Sequence, residues 1–228
     1  MSQSPSQTPV DALVFDAYGT LYDVASVTAI CDSHFPASGA KISEIWRQKQ
    51  LEYTWLSSLM GRYQDFWQIT AAGLRFACGA LKLELSEETF RLIMENYLQL
   101  DSYPEVPAAL EGLAEKMPFA ILSNGSPEML IKVTQHNGFN RFIKEVLSVH
   151  ELRIFKPAPQ VYDLAVRKLG VAKEKIGFVS SNAWDAAGAK AFGFQVFWIN
   201  RFDRHPEQLD LPPDHEIRTL DQIPPLIF

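Results

Sequence analysis

The chain has 228 residues, enough for one large domain or a core with a smaller insert, and its composition of 47% hydrophobic and 21% charged residues is that of a globular protein. Its formal net charge is −6 and no run of Lys and Arg stands out, which argues against a nucleic-acid surface. An anionic ligand would therefore have to be held by locally placed cations rather than by a general positive field.

The first ten residues, MSQSPSQTPV, carry no basic region followed by an apolar stretch and read as a disordered tail rather than a secretory signal. The run ALVFDAYG then reads as a short buried strand ending in a glycine turn. Residues 24–100 read as helical throughout, an insert after the first strand that would lie over the sheet as a lid. Within it, SEETFRLIMENYLQL places Ser86 as a cap before Phe90, Ile93, Met94, Tyr97 and Leu98 at helical spacing. A longer helix, KISEIWRQKQLEYTWLSSLM, carries two stripes. Ile42, Ile45, Trp46, Tyr53, Leu56 and Met60 form one face with a period near 3.6, and Arg47, Leu51 and Trp55 form another. Two stripes suggest a helix packed on both sides, but spacing alone favours Arg47 as a surface residue laying its stem over apolar neighbours.

After the insert the alternation becomes regular. FAILSNG is the second strand, followed by a helix that opens at Ser126-Pro127 and closes near Gly138. EVLSV is the third strand, PQVYDLAVRKLG a helix stopped by Gly170, IGFVSSN the fourth strand, WDAAGAKAFG a short helix and FQVFWIN the fifth strand. Continuous apolar strands alternating with helices imply an α/β fold with a doubly wound parallel sheet. The core is expected over residues 1–23 and 101–228, with the helical cap over 24–100. Cys31 and Cys78 lack metal-ligand spacing and read as reduced thiols in a cytoplasmic protein, and no apolar run is long enough to span a bilayer.

Ligands of open parallel sheets bind at the carboxyl ends of the strands, so these ends are read together. They carry Asp16 with Gly19-Thr20, then Ser123-Asn124-Gly125, then Ser180-Ser181-Asn182 with Asp185, while Lys156 precedes Pro157 in the loop before a helix. Each alone suits a turn or a cap. Together they describe a polar crevice.

The order DxxGT, SNG, KP and SSNxxD resembles the haloacid dehalogenase superfamily. Within it, VFDAYGTLYDV, IWRQKQLEY, AILSNG and FVSSNAWD resemble the L-2-haloacid dehalogenases, and the likeness covers essentially the whole chain after the tail. Phosphatases of the superfamily resemble one another in having a second Asp two residues after the first, and acids after the fourth strand that help to hold Mg²⁺. Here those positions are Tyr18 and Ser181-Asn182, leaving Asp185. A departing halide needs no proton, and a haloacid carries less charge than a phosphate. Loss of the acid and of the metal therefore fits cleavage of a carbon–halogen bond.

The resemblance implies Asp16 as nucleophile, forming an ester with the halogen-bearing carbon, which inverts. It implies Arg47, Asn124 and Trp184 around the departing halide, Ser123 and nearby backbone N–H groups on the substrate carboxylate, and Lys156 beside Asp16 and Asp185. Tyr18, Leu51, Phe66 and Trp184 would form an apolar wall. Asp185 would deprotonate or orient the water of the second step, or be only a helix cap or a partner for Lys156. Ser180 and Asn182 would position that water, with Thr20 and Tyr162 in support. Asp23 resembles a further motif residue, but capping of the first lid helix accounts for it. The resemblance also implies a small 2-haloacid substrate, a halide product, no metal or organic cofactor, no membrane partner and a homodimer. Two rivals remain: a phosphatase of the same superfamily, and a phospho-receiver module, which also sets an Asp and a Lys at the ends of parallel strands.

Overall fold

The structure is a computed structural model, described here for residues 9–143 and 145–228. The expected N-terminal tail falls almost wholly outside the described residues. Six parallel strands form one sheet in the order β3-β2-β1-β4-β5-β6. They are β1 (Ala12–Phe15), β2 (Phe119–Ser123), β3 (Glu145–Ser148), β4 (Ile176–Ser180), β5 (Gln195–Ile199) and β6 (His215–Ile217). Every residue of β1, β2 and β4 is buried. Side chains alternate between the two faces of a strand, so both faces of the sheet centre are covered, and continuous apolar runs are what such strands require.

From β1 the chain builds β2 and β3 on one side and β4 to β6 on the other. The winding direction thus reverses beside β1, and the crevice this opens lies at the carboxyl ends of β1 and β4, where Asp16 and Ser180 sit.

Between β1 and β2 the chain forms α1 (Val27–His34), α2 (Gly39–Leu59), α3 (Phe66–Ala80) and α4 (Glu87–Asn96). Their starts follow local chemistry. Asp23 caps the short turn Val24–Ser26 ahead of α1 by accepting from the Ala25 N–H at 2.9 Å. Asp65 and Gln68 make a reciprocal capping box at α3. Ser86 caps α4, as its position in the sequence suggests, through the Thr89 N–H at 3.1 Å. The Trp46 indole donates to the Thr70 carbonyl at 2.7 Å and ties α2 to α3.

The face of α2 differs from the expected stripe. Ile42 and Trp46 are buried, but Leu56 and Met60 are 41% and 62% exposed, and the buried line continues instead through Gln50, Thr54 and Ser57. Polar side chains can take these places because each finds a partner inside. Gln50 donates to Thr70 Oγ1, Thr54 to the Leu51 carbonyl and Ser57 to the Arg62 carbonyl.

The remaining helices are α5 (Val106–Ala114), α6 (Pro127–His136), α7 (Pro159–Leu169), α8 (Ala183–Phe192) and α9 (Pro224–Ile227). Gly170 ends α7 in the left-handed conformation at φ 66°, as its position suggests. Helices α7 and α8 meet at Gly188, where an added Cβ would lie 2.4 Å from the Tyr162 hydroxyl and 2.6 Å from Pro157 Cβ. Gly188→Ala should accordingly cost about 1–3 kcal/mol of stability, the usual penalty for overpacking a tight core. Urea denaturation checks this, and a variant as stable as the parent would show that this contact has slack.

Candidate active site

Asp16 follows β1 directly and is buried, with 6% of its surface exposed. Its Oδ1 accepts from Lys156 Nζ at 3.1 Å. Its Oδ2 accepts from Thr20 Oγ1 at 2.9 Å and from Asn182 Nδ2 at 2.8 Å. Lys156 is itself buried, and its ammonium also donates to Asp185 Oδ2 at 2.8 Å. Burial by itself would lower the Lys156 pKa, but the charges of Asp16 and Asp185 outweigh it and hold the ammonium above its ordinary value.

Asp185 is the most enclosed member. Tyr162 OH donates to its Oδ1 at 2.8 Å, and Ser180 Oγ joins Lys156 on its Oδ2 at 3.2 Å. These bonds dispose of the helix-cap reading, because the carboxylate serves Lys156, Tyr162 and Ser180 rather than the backbone N–H groups of α8. Burial pushes its pKa up to about 6, against the pull of Lys156 and with the Asp16 charge adding to the rise. Desolvation likewise drives the Tyr162 hydroxyl well above its ordinary range, so it stays a donor.

Arg47 reaches down from α2 to the strand ends. Its Nη2 donates to Asn182 Oδ1 at 3.1 Å and to the Tyr18 carbonyl at 3.3 Å, and its Nη1 donates to Gln50 Oε1 at 2.8 Å. The surface reading of Arg47 is thereby set aside: the guanidinium faces the crevice, which explains the second stripe on α2.

The expected wall is partly assembled. The Tyr18 ring lies 5.5 Å from Phe66 and stacks on Tyr97 at 5.6 Å. Trp184 meets Trp55 edge-on at 5.5 Å. Leu51 sits half-buried one turn after Arg47. Tyr18 OH, Trp55 Nε1 and Trp184 Nε1 are buried donors without a hydrogen-bond partner among the described residues.

Two expected roles find other geometry here. Asn124 is bound to the Lys156 backbone, its Oδ1 accepting from that N–H at 3.0 Å, and no bond joins it to Arg47. The Ser123 hydroxyl accepts from the Gly125 N–H at 3.1 Å, which commits one of the backbone donors proposed for the substrate carboxylate.

Gln50 and Arg201 escaped the sequence reading, and Ser181, read there only as part of the strand-end cluster, proves to hold the turn after Asp16. Gln50, 1% exposed, holds Arg47 on one side while its amide nitrogen donates to Thr70 Oγ1 at 2.7 Å and to Tyr97 OH at 3.0 Å. Arg201 pairs with Glu105 at 2.6 Å and donates to the Thr20 carbonyl at 2.9 Å, fixing the turn after Asp16. Ser181 Oγ donates to the Gly19 carbonyl in the same turn. For Gln50 the signal was its place three residues after Arg47; for Arg201 there was none.

The surroundings of Asp16 do not suit a resident divalent cation. Two oxygens that could ligate one, Asp16 Oδ2 and the Tyr18 carbonyl, both face the Asn182 amide N–H, and Arg47 stands 3.3 Å from the second. A cation there would abut a guanidinium.

The family model for haloacid dehalogenase-like hydrolases matches residues 10–193. The chain belongs to this family. Among relatives of this haloacid dehalogenase-like hydrolase, the (S)-2-haloacid dehalogenase 2 of Pseudomonas sp. (strain CBS-3) is 48% identical over 96% of each chain. The haloacetate dehalogenase H-2 of Moraxella sp. (strain B) is 44% identical over 96% of this chain and 98% of its own. The structure of the L-2-haloacid dehalogenase from Xanthobacter autotrophicus with chloropropionic acid covalently bound superposes with a TM-score of 0.91 at 37% identity, covering 96% of this chain and 98% of that one.

An Asp185 that acts as a base must be ionised, and in that role activity should fall as pH drops through its pKa, giving an acid limb at about 6. The Tyr162 bond favours the carboxylate and lowers that pKa. Tyr162→Phe should therefore move the acid limb to higher pH, with a larger loss at pH 6 than at pH 9. A limb that stays put or moves down would show that Asp185 does not set it.

Proposed function

We propose that the protein is an (S)-2-haloacid dehalogenase, converting short (S)-2-haloalkanoates and haloacetates to (R)-2-hydroxyalkanoates and halide through an ester on Asp16. The observation that carries this reading is the pairing of a buried carboxylate held by Lys156, Thr20 and Asn182 with the Arg47 guanidinium across Asn182, at a site where Tyr18 stands in place of a proton donor. The nucleophile is held charged, a cation waits for the leaving anion, and nothing is arranged to protonate it. The names of the relatives and the covalently bound chloropropionic acid in the Xanthobacter enzyme support the same reading.

A carboxylate offers about four lone-pair directions, and Oδ2 uses two while Oδ1 uses one, so Oδ1 retains a lone pair for attack. It attacks C2 from the side opposite the halogen; the carbon–halogen pair leaves with the halide towards Arg47, and configuration inverts. Arg47 acts on charge that exists only once the bond stretches, so its effect falls on the transition state. Tyr18, Leu51, Phe66 and Trp184 shield the carbon from water. Ser123 and Asn124 hold the turn that faces the substrate carboxylate, and the unpaired Tyr18 and Trp184 donors lie in the same wall. In the second step water attacks the Asp16 carbonyl carbon and gives a proton to Asp185, while Lys156 takes up the charge shift between the two carboxylates. The adduct then collapses: the bond from the Asp16 acyl carbon to the product oxygen breaks, and that oxygen takes the proton back from Asp185. The second water proton leaves to solvent as the Asp16 carboxylate re-forms. A base with a pKa near 6 suits this step better than an ordinary Asp. Ser180 and Asn182 fix the geometry of both acids. No metal or organic cofactor takes part.

Three further points belong to this proposal. Residues 24–100 act as a cap domain over a core of 1–23 and 101–228. The enzyme works as a homodimer, which the exposed Leu59, Met60 and Phe76 on α2 and α3 support as a surface in need of cover. It acts in the cytoplasm; no helix among the described residues is long and apolar enough to cross a membrane.

Halide release should be seen with (S)-2-chloropropionate and chloroacetate, not with the (R) enantiomer, and should survive a chelator. Turnover of p-nitrophenyl phosphate in place of these substrates, or activity lost to chelation and restored by Mg²⁺, would return the site to phosphatase chemistry.

A further inference from the structure

Beside the catalytic groups, the ends of β1, β4 and β5 and the start of the helical insert enclose a second cavity of about 80 Å³. Its lining includes Arg47, Arg201, Arg204, Ser181, Asn182 and Asn200, and no carboxylate. Acidic groups nearby are already paired, one of them with a lining arginine. Glu105 pairs with Arg201, Asp203 pairs with Arg218, and Glu216 accepts from Asn200 Nδ2 at 2.7 Å. Arg204 has no ion-pair partner among the described residues, and its guanidinium lies 5.4 Å from the Phe202 ring centre. In a chain of net charge −6, with Arg201 neutralised by Glu105, the Arg47 and Arg204 guanidinium groups leave this recess locally positive.

Size allows a small anion. The recess is roomy enough for a partly hydrated halide. Connection narrows the ligand. Arg47 lines this cavity and also bonds Asn182, whose amide is 2.8 Å from Asp16. Arg47 thus belongs to both spaces.

We propose that this cavity is a halide-release site, taking the small monovalent anion from Arg47 and passing it by Arg201 and Arg204 to solvent. The inference rests on the dehalogenase reading. The halide departs with the bonding pair, and its passage breaks no bond and moves no proton. Its removal matters because a halide left beside Arg47 could attack the new ester and reverse the first step. Transfer to a second cationic recess commits the enzyme to hydrolysis.

The test compares Arg204→Glu, which reverses an exposed charge outside the catalytic groups, with Val24→Phe, which fills the cavity without changing charge. Arg167→Glu on α7, a remote and exposed reversal, is the control. Two readings are made at constant ionic strength: inhibition of turnover by added bromide, and ³⁵Cl line broadening of chloride by the resting protein. Arg204→Glu should weaken bromide inhibition about tenfold and reduce the broadening, while single-turnover ester formation stays within about twofold. Val24→Phe should reduce the broadening in the same way. Bromide inhibition and broadening in Arg204→Glu that match Arg167→Glu would overturn the proposal, as would unaltered broadening in Val24→Phe. If the parent turned over no 2-haloacid but Arg204→Glu still lost chloride broadening, the dehalogenase reading would fall and the anion site would stand.

Discussion

The Lys156 ammonium, buried between Asp16 at 3.1 Å and Asp185 at 2.8 Å, is the interaction on which the site depends. Two carboxylates in a dry pocket repel each other strongly, and one of them would take up a proton without a cation between them. With the ammonium there, one negative charge in excess remains, and the fold spreads it through Thr20, Asn182, Ser180 and Tyr162. Five elements meet to make this possible. Asp16 leaves β1, Ser180 ends the neighbouring β4, Asp185 lies in the first turn of α8, Tyr162 comes from α7, and Asn124 after β2 holds the Lys156 backbone in place.

The same cation divides labour between the two acids. Asp16 keeps a slightly open side towards the crevice, whereas Asp185 has none. In the proposed mechanism the first meets a carbon atom and the second accepts a proton from water. Their difference comes from burial and partners, since the side chains are identical. Arg47 completes the circuit of charge from the opposite side. The anion is made near Asp16, and a positive group on α2 faces it across Asn182.

Much of this was legible in the sequence because the strands state their own ends. An apolar run that stops at Asp16, at Ser123 or at Ser180 marks a carboxyl end, and parallel order then brings those ends together. What was not legible depended on long-range bonding. Leu56 and Met60 have the period of a buried stripe yet face solvent, while Gln50, Thr54 and Ser57 lie inside because polar partners were waiting there. Strand β6, His215–Ile217, is too short and polar to show as an apolar run. Helix α5 lies in a stretch whose Pro and Glu residues interrupt any clear stripe. Arg201 acts on the Asp16 turn through main-chain carbonyls far away in sequence, which no side-chain pattern reports. The role of Arg47 came from family resemblance; the spacing on α2 favoured a surface residue, and its bonds to Asn182 and Tyr18 turn it to the crevice instead.

The central claim is that Asp16 itself attacks carbon, and the source of the product's oxygen tests it most directly. With enzyme in excess over (S)-2-chloropropionate in ¹⁸O-water, one turnover transfers an Asp16 oxygen to the product, and water then refills the carboxylate at its carbonyl carbon. The account predicts an unlabelled hydroxyl in the first product and label in the peptide that contains Asp16. If a carboxylate instead served as a base while water attacked carbon, the stereochemistry would be the same but the first product would carry the label and the peptide would not. That result would contradict the account.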